Sequence, residues 1–376
     1  MFNAFFSYTR NGTLNLPRGT MEVPAWLQRA QSASYIKDVL DVLDEREQTR
    51  AYCRSPPEVL AIQPEKPLAE FYSVGRNPAH RTLNRYMNIE PYDRTRLDPG
   101  GHYLNANWVR ELHGKKWWIA AQAPLPNTAY TFLSVLLEQV SPPGFPTNRV
   151  GVRTIVQLTK EVEGGRRKAH PYFPDTIGLS TVVNETHCPW QGQGFSDRSF
   201  EVTLMARKMI EGAHCTQSTV AVTPQVGGVA QGQPVVFNHL LYTAWPDHGV
   251  PEAADHQALI NFVAQVDEIN RIQTSPGGDP DPPVMVNCSA GIGRTGAFIT
   301  LSSLMRWFSR LPHVPASAQP QPALPPSPLG PLPPEKSEDL IMQEIDSCRD
   351  QRPGMVQTDE QVAFLYLILE KALSSG

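Results

Sequence analysis

Hydrophobic and polar positions along this chain follow two periods, and each predicts a different kind of element. Between Pro24 and about Thr49, Trp26, Leu27, Ile36, Val39, Leu40 and Val42-Leu43 recur at helical spacing and predict one or two amphipathic helices. From Tyr103 to about Gln122 the pattern alternates, which predicts two strands joined by a turn around His113-Gly114. Tyr130 to Gln139 reads as a helix, and Arg153 to Leu158 as a strand running into a Gly- and Arg-rich turn. Residues from about Phe200 to Tyr242 read as strands interrupted by a Gly-rich loop near Gln225 to Gly232, and 252–271 as a helix. Pro283-Val284-Met285-Val286 is a short apolar run typical of a buried strand, and Phe298, Leu301, Met305 and Phe308 then resume helical spacing. A last helix starts where Thr358 and Gln361 stand at capping-box spacing, with Val362, Leu365, Ile368 and Leu369 as its apolar face.

Two stretches fit neither period. Residues 1–22 carry turn formers without a sustained repeat and are expected to form a loose arm. From Pro312 to Pro334 proline dominates, which removes backbone donors and favours extended polyproline II, so an exposed insertion over 312–337 is expected. P-x-x-P spacings at Pro325/Pro328 and Pro331/Pro334 raise docking of an SH3 or WW domain at 322–334, although no arginine flanks them. Ser327-Pro328 adds a weak phosphorylation signal.

Composition narrows the class. Hydrophobic residues make up 40% and charged residues 19% of the 376, enough for a sizeable core, and the length alone suggests two or three domains. A net charge of −4 points to neither nucleic acid nor an anionic membrane surface, so attraction for an anion has to be local. The five cysteines are scattered and never spaced C-x-x-C, which argues against a disulfide framework and a zinc site and favours a reducing compartment. The sequon at Asn11-Gly12-Thr13 then carries no glycosylation meaning. No run is long enough to span a bilayer and the first residues do not resemble a signal peptide, so a cytoplasmic protein is expected, with the nucleus also open.

The chemistry concentrates in Val286 to Gly296, V-N-C-S-A-G-I-G-R-T-G. Small residues between a strand and a helix aim backbone N–H groups and the positive end of the helix dipole at one point, where an anion binds. A cysteine there, Cys288, is favoured as thiolate, and Arg294 offers a planar fork for phosphate oxygens. Attack on a phosphoester also needs a proton donor, and Asp247 in Trp245-Pro246-Asp247-His248-Gly249 stands on a loop with a rigid tip and a bulky anchor.

This loop resembles the signature of the cysteine-dependent protein tyrosine phosphatases, H-C-S-A-G-x-G-R-[ST]-G, with Asn287 at the position of the family's histidine. The resemblance covers roughly residues 80 to 370 in the family's motif order and looks like the non-receptor, tyrosine-specific type. It implies an α/β (α+β) fold, a highly twisted mixed β-sheet flanked by helices, and a two-step reaction through phosphocysteine with no metal and no cofactor. It implies that Asp247 is general acid and then base, that Thr295 steadies the thiolate as leaving group, and that Gln357 positions water. Ser289, Ala290, Gly291, Ile292 and Gly293 would line the phosphate cradle. Tyr86 and Asn88, in N-R-Y-M-N-I, resemble the phosphotyrosine-recognition loop, Tyr86 setting pocket depth and Asn88 holding peptide backbone. Gln361 belongs with Gln357 in V-Q-T-D-E-Q, while Glu163 and Lys168 take the places of the support loop that holds the arginine and meets the acid loop anchored by Trp245. Phosphotyrosine-containing proteins are the implied substrates, and Cys288 the residue open to oxidation.

A site assembled from residues 86 to 361, on both sides of the proline segment, implies one catalytic domain over 23–376. Three other readings stand beside this one. Asn287 cannot carry charge, which raises a catalytically weak phosphotyrosine-binding pseudo-phosphatase. A phosphoinositide substrate would call for basic residues between Ser289 and Gly293, where there are none. An adaptor would work mainly through the proline segment.

Overall fold

The computed structural model describes residues 22–30, 32–138, 140–144, 151–185, 197–247, 249–272, 279–315 and 323–374. The expected N-terminal arm lies almost wholly outside these residues, as do Gln139, Cys188, His248, 316–322 of the proline segment and the sequon at Asn11.

Among the described residues the helices are α1 (Ala25–Arg29), α2 (Ala33–Cys53), α3 (Lys66–Phe71), α4 (Ala129–Leu137), α5 (His256–Arg271), α6 (Gly293–Trp307), α7 (Leu340–Gln351) and α8 (Asp359–Ser374). The strands are β1 (Ala106–Arg110), β2 (Trp117–Ala121), β3 (Thr154–Gln157), β4 (Val162–Glu163), β5 (Arg166–Arg167), β6 (Ser180–Asn184), β7 (Arg198–Ile210), β8 (Cys215–Val226), β9 (Val229–Ala230), β10 (Val235–Tyr242) and β11 (Val284–Asn287). They form a mixed sheet in the order β1-β2-β11-β3-β10-β8-β7-β6, with β9 paired to β8 and β4-β5 a separate two-stranded ribbon.

β11 lies inside the sheet, parallel to β2 on one side and β3 on the other, so that Asn287 pairs with Ala121 and Gln157. Its side chains alternate between two cores. Val284 and Val286 enter the larger cluster with α5, α6 and α8, whereas Met285 enters the cluster under α4. Burial on both faces explains why this strand is a continuous apolar run rather than an alternating one.

The turn between β1 and β2 falls at Leu112–Lys115, as the alternation predicts. α3, β6 and the β4-β5 ribbon carry no clear period and are found only in the structure. The proline segment departs from the exposed insertion expected of it. Over 323–337, Leu324, Ser327 to Gly330, Leu332 and Pro333 are half-buried and Lys336 is buried. Leu329 packs against Cys53, Tyr72 and Tyr92, Leu332 joins the larger core, and the Lys336 ammonium lies 3.5 Å from the centre of the Tyr35 ring. Composition describes a chain that cannot make ladders; leucines between the prolines nevertheless supply anchors.

Candidate active site

Cys288 follows the last residue of β11, and Gly293 opens α6, so the loop 288–293 lies at a strand end under a helix N-terminus. Its path requires glycine twice. Gly291 has φ +70° and a Cβ there would lie 2.0 Å from the carbonyl oxygen of Ala121; a Cβ on Gly296 would lie 2.4 Å from the Val356 nitrogen. The loop is tied to the sheet by Leu158 N–H donating to Asn287 at 2.8 Å and Ala123 N–H to Ser289 at 3.0 Å.

Cys288 is buried, and burial by itself would raise its pKa. The Thr295 hydroxyl, the Arg294 charge and the amides of Thr295 and Ile292 outweigh that and hold the thiol below its ordinary value. Thr295 Oγ1 has no other hydrogen-bond partner among the described residues, so its hydroxyl is free for the sulfur. Burial dominates the other described cysteines: Cys215 is pushed up to about 12, and Cys53 and Cys348 are also raised.

Arg294 is held by a two-point fork. Its Nη1 donates to Glu163 Oε1 at 2.9 Å and to the Leu158 carbonyl at 3.0 Å, while Nη2 donates to Glu163 Oε2 at 2.8 Å. Nη2 also reaches Asp247 Oδ1 at 3.3 Å, and Lys168 Nζ lies 2.9 Å from Asp247 Oδ2. Trp245 is buried and donates to the Gly249 carbonyl at 3.2 Å across the tip of this loop. The acidic side chain thus stands between two cations at the mouth of the cysteine loop.

Tyr86 lies beside the loop, its hydroxyl 2.8 Å from Ser289 Oγ. Ser289 Oγ itself donates to the Lys168 carbonyl at 2.9 Å, which leaves the tyrosine as donor to the serine. Residues 84–89 are pinned by Arg85, whose backbone N–H meets Gln122 Oε1 at 2.8 Å and whose guanidinium meets the carbonyls of Ala123 and Pro124. Asn88 is exposed at the end of this segment. Gln357 and Gln361 come up against the opposite side. A Cβ on Gly293 would lie 3.0 Å from Gln361 Oε1 and 3.3 Å from Gln357 Cβ, and Gln357 N–H donates to Gln361 Oε1 at 3.0 Å. Ala290 and Ile292 complete the loop, Ile292 accepting from the amides of Gly296 and Val356.

Asn287 is fully buried, with Nδ2 donating to the Cys288 carbonyl at 3.1 Å and Oδ1 without a hydrogen-bond partner among the described residues. It therefore contacts the Cys288 backbone without adding charge.

The sequence reading missed the group beneath the loop. Arg352, wholly buried, donates to the carbonyls of Gly291 at 2.7 Å and Ala290 at 3.0 Å, and to the side chains of Asn107 at 2.8 Å and Asn105 at 3.0 Å. Asn105 in turn donates to Asn84 and to the Ile89 carbonyl, so one arginine links the cysteine loop to the segment carrying Tyr86. Burial drags its pKa down to about 10, partly offset by Cys288. Its only sequence signal is proximity to Pro353-Gly354.

Among the described residues no group of three or more His, Cys, Asp or Glu could hold a metal ion, and no helix is long and apolar enough to cross a membrane.

Comparison with known proteins finds relatives in sequence and in fold. The mouse tyrosine-protein phosphatase non-receptor type 13 is 29% identical over 316 residues, covering 83% of this chain and 10% of that protein. Mouse non-receptor type 20 is 28% identical over 351 residues, 92% of this chain and 65% of that protein. The chain therefore spans a tenth of one of these relatives and just under two thirds of the other. The crystal structure of the human non-receptor type 18 catalytic domain superposes with a TM-score of 0.60 at 24% identity, covering 93% of this chain and 98% of that one. A second structure, of PTPN18 and its fingerprint on HER2 tyrosine phosphorylation sites, gives 0.61 at 25% identity, covering 93% of this chain and 99% of that one. The family model described as protein-tyrosine phosphatase matches residues 80–318, more than half of the sequence. By that match, this chain belongs to the protein-tyrosine phosphatase family.

Proposed function

We propose that this chain hydrolyses phosphotyrosine in proteins through a phosphocysteine on Cys288, within one catalytic domain over 23–376. The observation that carries the reading is the environment of Cys288, at a strand end under the N-terminus of α6, where a hydroxyl, a guanidinium and the amides of Ile292 and Thr295 favour the thiolate against burial. The thiolate attacks phosphorus and the bond from phosphorus to the tyrosine oxygen breaks. Asp247, in its carboxylic acid form, supplies the proton to the leaving phenolate. Arg294 and the amides of Ser289 to Gly293 take the equatorial oxygens. Without substrate, Arg294 and Lys168 both face Asp247. A bound phosphate dianion competes with Asp247 for Arg294.

In the second step Gln357 and Gln361 orient a water, Asp247 accepts its proton, and the sulfur–phosphorus bond breaks with the thiolate leaving toward Thr295. Tyr86 supports selectivity for a flat, long phosphoester: its ring borders the loop from the side, so a short phosphoserine reaches the sulfur less well. Asn88 is assigned to the peptide backbone, and Glu163, Lys168, Trp245 and Asn287 hold the catalytic groups in place. Cytoplasmic action, with the nucleus open, accompanies this reading.

Phosphotyrosine and phosphoserine peptides offered to the wild type, Cys288→Ser and Asp247→Ala test it. Phosphate release from phosphotyrosine alone, lost in Cys288→Ser, is expected; release that survives Cys288→Ser refutes the mechanism. A second reading, a phosphotyrosine-binding protein of weak activity, is favoured by Asn287 with its unpartnered Oδ1. It predicts binding of the same peptides with no turnover by the wild type. Docking of an SH3 or WW domain at 322–334 is a further reading of the sequence: Pro325, Pro331 and Pro334 are exposed, while Pro328 is half-buried and Leu329 and Leu332 pack against the domain.

A further inference from the structure

The turn at 327–330 of the proline segment is bonded to the domain by Arg46. Arg46, on α2, donates from Nη1 to the Leu329 carbonyl at 3.3 Å and from Nη2 to Ser327 Oγ at 3.3 Å and the Gly330 carbonyl at 3.0 Å. The same guanidinium is forked onto Asp346 of α7 at 2.9 and 2.8 Å. Ser327 stands at the head of a turn closed by Gly330 N–H donating to its carbonyl at 3.1 Å, with Gly330 at φ +77°. Its Oγ also accepts from Leu329 N–H at 3.4 Å. This turn bends the chain between the two P-x-x-P spacings, and a cleft of about 430 Å³, walled in part by Phe71, Pro325, Pro331, Asp346 and Asp350, separates the segment from the body.

We propose that Ser327 is a phosphorylation site for a proline-directed kinase and that the phosphate unseats residues 323–333. Ser327 precedes proline and is half-buried, between an exposed Pro326 and a half-buried Pro328, in a surface segment, so local opening presents it without unfolding the domain. In the transfer, Ser327 Oγ bonds to the γ-phosphorus of ATP as the bond to the β–γ bridging oxygen breaks. ADP leaves with that electron pair, and the hydroxyl proton passes to the kinase's base.

The charges around the seat decide the outcome. Arg46 is committed to Asp346, Arg50 to Asp346 and Asp350, and Arg94 donates to the Asp350 carbonyl. A new dianion at Ser327 faces the two carboxylates across the cleft, and the guanidinium that touches Ser327 Oγ is already forked onto Asp346. Like-charge repulsion and lost hydration therefore favour release over a tighter clip. Release withdraws Leu329 from Cys53, Tyr72 and Tyr92 and frees both proline spacings.

Leu329-Gly330 is the one bond after a leucine within 323–333 that proline does not follow, and chymotrypsin reads its exposure. The full chain is produced with phosphoserine incorporated at position 327 and compared with the unmodified chain. Cleavage there is expected to rise roughly tenfold or more, because proteolysis tracks the population of the opened segment, and to return on enzymatic removal of the phosphate. An equal or slower rate in the phosphorylated chain overturns the proposal. Arg46→Ala is expected to open the same bond without phosphate; protection unchanged in that variant refutes the clip. Incubation of the unmodified chain with a proline-directed kinase and ATP, followed by mass spectrometry against Ser327→Ala, is expected to find phosphate on Ser327. Its absence there refutes the assignment.

Discussion

Arg352 Nε donates to the carbonyl oxygen of Gly291 at 2.7 Å, from a position with no solvent exposure. The bond holds that carbonyl away from the anion cradle, so the neighbouring amides face inward. Arg352 is a positioning residue, and Arg352→Met is expected to lower kcat/KM roughly a hundredfold through sub-ångström displacement of the loop. Loss of its charge also raises the apparent pKa of Cys288. The pH dependence of iodoacetate labelling checks this; an unshifted profile with only a lower melting temperature would mean a purely structural role.

Asp247 between Lys168 and Arg294 leads to a second expectation. Asp247→Ala should reduce kcat about 10²- to 10⁴-fold, the usual worth of a positioned general acid. KM should change little, and phosphotyrosine proteins should be retained long enough to be captured and identified by mass spectrometry.

Asn287 donates to the Cys288 carbonyl and carries no charge. Asn287→His introduces a group that can be cationic beside the nucleophile, and Cys288 is expected to titrate lower, moving the acid limb of the activity profile down. Identical alkylation profiles for the two proteins would sink this idea.

Arg50 binds Asp346 and Asp350 at 2.6 Å each from inside the domain, tying α2 to α7. Arg50→Met leaves carboxylates uncompensated in a buried place and should cost about 3–5 kcal/mol by chemical denaturation at neutral pH. Burial would raise the Asp346 pKa, but Arg50 and Arg46 outweigh it and the folded value lies below the ordinary one. A depressed carboxyl stabilises the fold above the unfolded-state pKa of about 4 and loses that contribution as pH falls through the folded value. The wild type should therefore lose stability below about pH 4 more steeply than the variant.

The residues that meet at the candidate site were legible in the sequence because the chemistry proposed for them demands residue types at fixed spacing. Cys288 and Arg294 share one loop, Asp247 stands on a proline- and glycine-bounded tip, and Glu163 with Lys168 lies in a charged turn. β11 was also readable, since burial on both faces requires a continuous apolar run. The supports were not. Arg352, Asn105 and Asn107 act on carbonyls and amides brought together by folding, and a neutral acceptor leaves no mark on the sequence around its donor. The proline segment misled for a related reason: its prolines exclude regular pairing, but Leu329 and Leu332 still dock, and Arg46 lies 281 positions before the serine it meets.

Cys288 follows a strand flanked on both sides by parallel neighbours, while Asp247 rides on a loop after β10. Opening free energies across this site should therefore be strongly unequal. The Met285 and Val286 amides, paired across β2 and β3, should exchange with solvent only when the whole domain unfolds. Amides of Ala244, Trp245, Asp247 and Gly249 should exchange through much cheaper local excursions. The slow clock of the central strand and the fast clock of the loop after β10 then meet at one site.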